Sequence, residues 1–190
     1  MFNLGVTIYH NGEKFSFSAD IKRGEIFSFD IGEKVLADKL FYCLVGLEKC
    51  ENFEEYKKCC EEVGVNLGFN KGSNILALGD NSMFLNSSVY KNIYRVIRVR
   101  SGRKRAKEMT KEILELYGLE GRENICLNKG DKESGKEILL KTAVARSCFR
   151  DIRLVIVNTV ESYINSAQEF IDLSLKDFTE DSRPYIIEIR

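Results

Sequence analysis

The first thirty residues constrain the fold more than any other stretch, because strand and turn patterns agree there. Every second residue from Leu4 to Ile8 is aliphatic, as in a strand that buries one face. Asn11-Gly12 follows, a residue pair that tolerates the positive φ angles of a two-residue hairpin turn. Alternating aromatic and polar residues recur at Phe15–Asp20 and Ile26–Phe29. We therefore predict that the chain opens with three antiparallel strands.

Length and composition set the outer limits of the fold. The 190 residues, 44% of them hydrophobic, predict a single domain, 1–190, with a sizeable core. No apolar run reaches the roughly 18 residues of a membrane span. The start lacks the basic region of a signal peptide, so we expect a cytoplasmic protein with no membrane contact. One histidine and six cysteines without CxxC spacing predict reduced thiols, no metal site and no cofactor.

Beyond the opening strands, helical and strand patterns alternate along the chain. The sequence Asp30-Ile31-Gly32-Glu33 has the form of a capping box and predicts a helix start. Residues 154–157 fit either a buried strand or a continuing helix, and we favour the helix. Residues 128–136 are expected to form a mobile loop. Hydrophobic periodicity predicts helices at 36–47, 53–63, 103–117, 138–149 and 160–175, and strands at 74–78, 83–85, 94–100, 124–127 and 185–189.

One segment carries most of the charge asymmetry. Residues 91–107 contain eight basic and no acidic residues, whereas the chain as a whole has a formal net charge of zero. Such a run is most often a solvated face, but it also fits nucleic acid, an acidic protein partner or the chain's own acidic helices. Any nucleic-acid contact would be to phosphates, since no aromatic residue lies between Arg98 and Lys107. The candidate binding residues are Arg95, Arg98, Arg100, Arg103, Lys104, Arg105 and Lys107.

Several short motifs in the first seventy residues resemble a known family. The run from Leu4-Gly5-Val6 to Asn11-Gly12, with Ser18-Ala19-Asp20-Ile21-Lys22-Arg23 after it, resembles the opening hairpin of proteasome β-type subunits, which are N-terminal-nucleophile (Ntn) hydrolases. The stretches 37–40, 54–58 and 62–65 are more specifically similar to the archaeal proteasome-related family that includes the connectase protein ligases. The resemblance implies an α+β fold, a proteasome-like αββα sandwich with mixed or antiparallel sheets.

The resemblance also implies a nucleophile that this sequence lacks. Family enzymes use the hydroxyl of the first mature residue, usually a threonine, with its α-amino group as base. Here the chain begins Met1-Phe2-Asn3, without a hydroxyl. Asp20, Lys22 and Arg23 match the charged residues that support the family's nucleophile, so they are the catalytic candidates if that site is retained.

Three functional hypotheses follow from these patterns. We favour a proteasome-like pseudoenzyme that has lost its nucleophile and acts as a non-catalytic binding or scaffold protein, with a protein partner and the option of a homo-oligomer. The first alternative is an active amide hydrolase or transpeptidase with an unrecognised nucleophile. The second is a nucleic-acid-binding module that uses residues 91–107.

Overall fold

The computed structural model describes seven stretches of the chain: residues 1–67, 74–79, 86–127, 132–146, 151–160, 162–174 and 183–190, without the side chains of residues 100 and 132–134. The chain divides into two compact units. The first unit comprises Met1–Gly79 and Asp151–Arg190, and the second comprises Asp80–Arg150.

The chain opens with the predicted hairpin. Strands β1 (Phe2–His10) and β2 (Glu13–Ile21) pair antiparallel in unbroken register. Asn11 and Gly12 form the turn with φ angles of 52° and 83°, which is why this residue pair suits the position. The alternate aliphatic residues of β1 are buried, so the hairpin prediction is confirmed.

The other strands of the first unit form one parallel sheet. It contains β3 (Ile26–Phe29), β4 (Ile75–Leu78), β5 (Leu154–Asn158) and β6 (Tyr185–Ile189) in the order β3-β6-β5-β4. All three pairings are parallel. The prediction that the third strand continues the antiparallel meander is therefore wrong, because β3 pairs with the distant β6. The helix favoured at 154–157 is also wrong, since every residue of β5 is buried, as in parallel strands covered on both faces.

Three helices belong to the first unit: α1 (Lys34–Leu44), α2 (Phe53–Glu62) and α6 (Ala167–Ser174). Tyr56 of α2 is fully buried and donates its hydroxyl hydrogen to the Leu44 carbonyl oxygen at 2.6 Å. Asn52, just before α2, bonds the backbone of β1 instead of capping the helix. The sixth helix begins seven residues later than the predicted start at residue 160.

The second unit contains α3 (Val89–Ser101), α4 (Arg103–Leu116) and α5 (Lys132–Ala145). The predicted strand at 94–100 is wrong, because Ile93 and Ile97 are both buried one helical turn apart. Residues 132–136 are helical, whereas residues 128–131 of the predicted loop and the predicted strand at 83–85 lie outside the described residues. At 124–127 the structure has an isolated bridge from Cys126 to Ser88 in place of a strand.

The fold class differs from the one that the proteasome resemblance implied. The larger sheet is wholly parallel, whereas an αββα sandwich was expected to contain mixed or antiparallel sheets. Parallel neighbours need long crossover connections, and the helices between the strands supply them. The fold is therefore α/β.

Candidate functional site

The candidate site lies at the end of β3, where the chain passes into α1. In open α/β sheets, ligands bind beyond the carboxyl ends of the parallel strands. A strand, a short loop and a helix N-terminus also form the arrangement that binds phosphates when the loop is rich in glycine. Here the loop consists of Asp30, Ile31, Gly32 and Glu33, and we call it the β3–α1 loop.

The amide groups of the β3–α1 loop are bonded to the far end of the chain. The N–H groups of Ile31 and Gly32 both donate to the carbonyl oxygen of Arg190, at 2.5 and 3.2 Å. Arg190 also donates its own N–H to the Phe29 carbonyl, and its guanidinium Nε lies 2.6 Å from Asp30 Oδ1. Two of the donors that this loop geometry would offer to an anion therefore already have a partner.

The same loop is acidic. Asp30 and Glu33 are both exposed, and Glu33 Oε1 is hydrogen-bonded to His10 Nε2 at 2.9 Å. Glu33 stands at the N-cap of α1 but makes no side-chain capping bond, so the predicted capping box is absent. Carboxylates near a helix N-terminus are favourable for the helix, but they repel a phosphate placed beside them.

A buried amide lies at the end of β5, which is separated from β3 by β6 in the sheet. Asn158 donates from Nδ2 to Asp38 Oδ1 of α1 at 2.8 Å, and its Oδ1 accepts the N–H of Val160 at 3.1 Å. Both ends of the amide are thus satisfied, and Asn158 holds the single carboxylate of Asp38. In the described stretches, no group of three or more His, Cys, Asp or Glu side chains is placed to hold a metal ion.

Glu188 is a buried carboxylate that the sequence reasoning missed. It accepts a hydrogen bond from Ser28 Oγ of β3 at 2.8 Å and from the N–H of Ala167 at the start of α6, also at 2.8 Å. The residue is 6% exposed. The signal was an acidic residue within the aliphatic run Tyr185–Ile189. Because its partners belong to the sheet and to a helix start, its role is to join β3, β6 and α6.

The three predicted catalytic residues lie at and just after the end of β2. Asp20 is exposed and stands opposite Asn3 in the hairpin. Lys22 Nζ is 3.6 Å from Glu25, and Arg23 donates from Nε to the Tyr185 hydroxyl at 3.4 Å, with its guanidinium carbon 5.4 Å from the ring centroid. The three residues therefore have different partners: Asn3 lies opposite Asp20, Glu25 lies near Lys22, and Tyr185 accepts from Arg23.

The predicted binding residues belong to two helices of the second unit. Three of them are on α3 and four are on α4, and all but Arg100, whose side chain is not described, are exposed. Arg95 donates from Nη1 to Ser87 Oγ at 3.1 Å. The structure therefore places these cations on helix surfaces and not along a strand.

Known proteins resemble this chain in structure but do not match it in sequence. Neither the known family models nor the curated proteins contain a match to this sequence. Among solved structures, the chain is similar to CbiO1 from Clostridium perfringens, described as part of the ABC transporter complex CbiONQ. The TM-score is 0.53 at 15% identity, and the match covers 98% of this chain and 76% of that chain.

This likeness overturns the proteasome interpretation. The resemblance to Ntn hydrolases and connectases, the sandwich fold and the functions drawn from them are wrong, because the whole described fold follows a different architecture. The short motifs behind that resemblance cover a hairpin and two helices, which are elements that many folds share. At 15% identity this likeness concerns the fold alone: the chain has an α/β fold similar to that of CbiO1.

Proposed function

We propose that this chain is a partner-binding subunit with an ABC ATPase fold and that its β3–α1 loop does not hold a nucleoside triphosphate. The observation that carries the proposal is the composition and bonding of that loop. The fold by itself favours a second candidate, a subunit that binds nucleotide. The two candidates make opposite predictions for one titration.

The residues of the loop do not fit a triphosphate. A P-loop has the sequence G-x-x-x-x-G-K-[ST], in which backbone amides cradle the phosphates, the lysine contacts the outer phosphates and the hydroxyl binds Mg²⁺. The complete motif does not occur in this sequence. At the corresponding strand–loop–helix position the chain has Asp30 and Glu33, and the amides of Ile31 and Gly32 are bonded to Arg190. The missing motif residues and the bonded amides therefore both oppose phosphate binding.

One other run has part of the motif's spacing. Gly130 to Glu137 reads G-x-x-x-x-G-K but has a glutamate in place of the hydroxyl residue. Gly135 and Lys136 lie inside α5, where amides serve the helix itself. Glu137 is 2.6 Å from Lys141, its partner one turn further along the helix. In the described part of this run, the glycine and lysine of the spacing therefore belong to a helix and not to a loop.

The residues beside the loop do not supply the usual magnesium ligands either. P-loop enzymes hold Mg²⁺ with the loop hydroxyl and an aspartate from a second motif. At the end of β5 the chain has the neutral amide of Asn158, bonded to Asp38. Magnesium bound by one or two carboxylates relies on substrate phosphates for further ligands. Without a phosphate site, the Asp38 carboxylate offers an incomplete set.

A role in a protein complex agrees with the fold. CbiO1 is described as part of a complex, and by this likeness we place the present chain in an assembly with partner proteins. No helix in the described part of the chain is long and apolar enough to cross a membrane.

A nucleotide titration tests the proposal. Fluorescent N-methylanthraniloyl-ATP with Mg²⁺ is titrated against the intact chain, and we expect no saturable binding below about 1 mM, a limit equivalent to about −4 kcal/mol. The variant Glu33→Gln removes a carboxylate that pairs with His10 and not with Arg190, so it leaves the amides bonded and is also expected to bind weakly. Saturable binding of the unmodified chain at micromolar concentration, displaced by ATP, would refute the proposal and establish the second candidate.

A further inference from the structure

The opening hairpin has two edges, and the edge along β1 is bonded to the rest of the first unit. Asn52 accepts the Thr7 N–H at 2.8 Å and donates to the Gly5 carbonyl oxygen at 3.0 Å. The Thr7 carbonyl oxygen accepts the N–H of Glu51 at 2.8 Å. These backbone groups of β1 therefore point away from β2.

The direction of the β1 groups fixes the direction of the groups on β2. In an antiparallel pair, two opposite residues either bond each other or both point away from the partner strand. Thr7 lies opposite Ser16, and Gly5 lies opposite Ser18. Bonding direction alternates along a strand, so every second residue of β2 does the same. The outer edge of β2, which we call the β2 edge, therefore consists of the outward N–H and C=O groups of Lys14, Ser16, Ser18 and Asp20.

The β2 edge is long and regular. Strand β2 has nine residues in unbroken register with β1, and the side chains of its four outward residues are exposed. It contains no proline, and its register shows no bulge, although natural edge strands often carry one or the other to prevent pairing with another chain. In the part of the chain that the structure describes, the hairpin is a sheet of two strands. The β2 edge thus has the geometry that accepts a further strand.

The sequence of β2 is complementary to itself in one antiparallel register. With Phe17 on a two-fold axis, Lys14 lies opposite Asp20 of a second copy, and Ser16 lies opposite Ser18 of that copy. Both pairs join outward residues, as the backbone bonds of an antiparallel ladder require. Opposite charges and hydroxyl groups that face each other across strands are favourable pairs. The two-fold axis makes each of these pairs occur twice.

The neighbouring registers lose this complementarity. A shift of the pairing in one direction sets Lys14 opposite Lys22, which brings like charges together. A shift in the other direction sets Lys14 opposite Ser18 and leaves its charge without an acidic neighbour on the second copy. In the single chain, Lys14 also contacts Glu51 at 2.8 Å, with its side chain 53% exposed. An ammonium group has three donors, so it can contact a second carboxylate.

The other face of β2 gains from the same register. Phe15, Phe17 and Ala19 are half-buried and pack against the core. In the register centred on Phe17, this ring meets its own copy, and Phe15 meets Ala19. These are non-bonded pairs of the ladder, in which side chains lie closest. The Phe17 ring centroid is 5.4 Å from that of Phe29, so the contact extends an aromatic cluster that the single chain already has.

We propose that a second copy of this chain adds to the β2 edge and that the two β2 strands pair antiparallel in a symmetric dimer. The occupant is a second copy because the charged, hydroxyl and aromatic pairs all arise from the chain's own sequence in a single register. The proposal goes beyond the proposed function and does not depend on it, since none of these contacts involves the β3–α1 loop.

Analytical ultracentrifugation of the intact chain measures the association. One pair of strands is a small interface, so we expect the mass to rise from 21.8 kDa toward twice that value only as the concentration approaches about 100 μM. Residue-resolved amide hydrogen exchange locates the contact. The N–H groups of Ser16 and Ser18 should exchange more slowly at high than at low concentration, whereas that of Phe17, which bonds β1, should not change.

Charge variants test the register. Asp20→Lys places like charges opposite each other at both symmetric positions and is expected to weaken association about tenfold. The combined variant Lys14→Asp, Asp20→Lys restores opposite charges and should associate within about threefold of the parent chain.

A proline variant tests the backbone bonds. Ser16→Pro removes an N–H that β1 does not use and is expected to weaken association at least about tenfold. Ser16→Ala keeps this N–H and is the matched control, with association close to that of the parent chain. Circular dichroism melting checks that each variant folds, and the charge variants decide if Ser16→Pro does not.

Four outcomes would overturn the proposal. The first is a mass that stays at 21.8 kDa over the whole concentration range. The second is an equal loss of association in Ser16→Ala and Ser16→Pro, and the third is a combined charge variant that associates no more tightly than Asp20→Lys. The fourth is exchange at Ser16 and Ser18 that is as slow as at Phe17 even at the lowest concentration, because the edge would then be covered within one chain.

Discussion

Replacing Glu188 with alanine removes the carboxylate that joins β6 to β3 and α6. In the intact chain, Ser28 Oγ and the N–H of Ala167 each donate to it at 2.8 Å. Alanine leaves the Ala167 N–H, a buried amide at a helix start, without its acceptor. Ser28 is half-buried, and its hydroxyl can turn partly toward water.

The size of the effect follows mainly from these two bonds, since the third neighbour, the charged Arg190 Nη1, is 3.9 Å from Glu188 Oε2. A hydrogen bond to a charged group contributes about 1.5–3 kcal/mol, and an unsatisfied buried donor costs about 1–3 kcal/mol. With the serine partly solvated, we expect the free energy of unfolding to fall by about 3–4 kcal/mol. That loss is a large share of the roughly 5–15 kcal/mol that stabilises a typical protein. For a chain of this length, Tm should fall by about 10 °C.

Urea denaturation followed by far-ultraviolet circular dichroism measures this loss. Two milder variants separate its parts. Glu188→Gln keeps an oxygen for the Ala167 N–H, and Ser28→Ala keeps the carboxylate, so each should lose about 1 kcal/mol. If Glu188→Ala unfolds within about 0.5 kcal/mol of the parent chain, the range of ordinary surface substitutions, the structural role of the carboxylate is refuted.

Two further predictions concern the first unit. Asn52→Ala removes the bonds from Asn52 to the Thr7 N–H at 2.8 Å and to the Gly5 carbonyl at 3.0 Å, and we expect a loss of about 2 kcal/mol in the same urea assay; a loss no larger than that of an exposed-site substitution would contradict it. Burial raises the pKa of the Cys43 and Cys60 thiols to about 12, so little thiolate exists at pH 8 and iodoacetamide should alkylate them far more slowly in the native chain than in urea. Because the unfolded chain loses these thiol protons at a lower pH than the folded chain does, the free energy of unfolding should fall as the pH rises from the thiol pKa of the unfolded chain toward about 12. Equal alkylation rates in native buffer and in urea would show that the thiols are not buried.

Local rules predicted the elements whose patterns are strong. The Asn11-Gly12 turn correctly predicted the opening hairpin. The aliphatic run at 185–189 predicted β6 with the same first and last residues that the structure has. The helices α1, α2 and α4 were found within a few residues, because each has an apolar stripe at helical spacing. These elements depend on contacts between residues that are close in sequence.

Two segments were assigned the wrong period. In Tyr94–Arg100, β-branched residues typical of strands are interspersed with arginines, but the buried positions Ile93 and Ile97 are four apart, as in a helix. In β5, a continuous aliphatic run has no period at all, so the sequence does not distinguish a buried strand from a buried helix. Because we assigned a helix to residues 154–157, the sequence did not predict the parallel sheet that contains β5.

The candidate site was unpredictable for a different reason. Its contacts join residues that are far apart in the chain: Asp30 with Arg190, and Asp38 with Asn158. The pairing of β3 with β6 likewise joins Ile26 to Ile186. When residues are this far apart in sequence, the order of the strands in the sheet decides which side chains meet. Local sequence patterns do not predict that order. The proteasome resemblance failed on the same point, since its motifs cover the hairpin and two helices but not β3, which lies between them.

The bonds of the β3–α1 loop explain how this α/β fold satisfies the loop amides without a bound ligand. The sheet is stabilised by buried aliphatic strands, and these do not depend on the loop. A loop built for phosphate leaves amide donors that its ligand satisfies. Here the Arg190 carbonyl oxygen accepts from the N–H groups of Ile31 and Gly32, and the Arg190 guanidinium pairs with Asp30. Because the chain satisfies these donors itself, these two amides need no bound ligand to be stable in the folded chain.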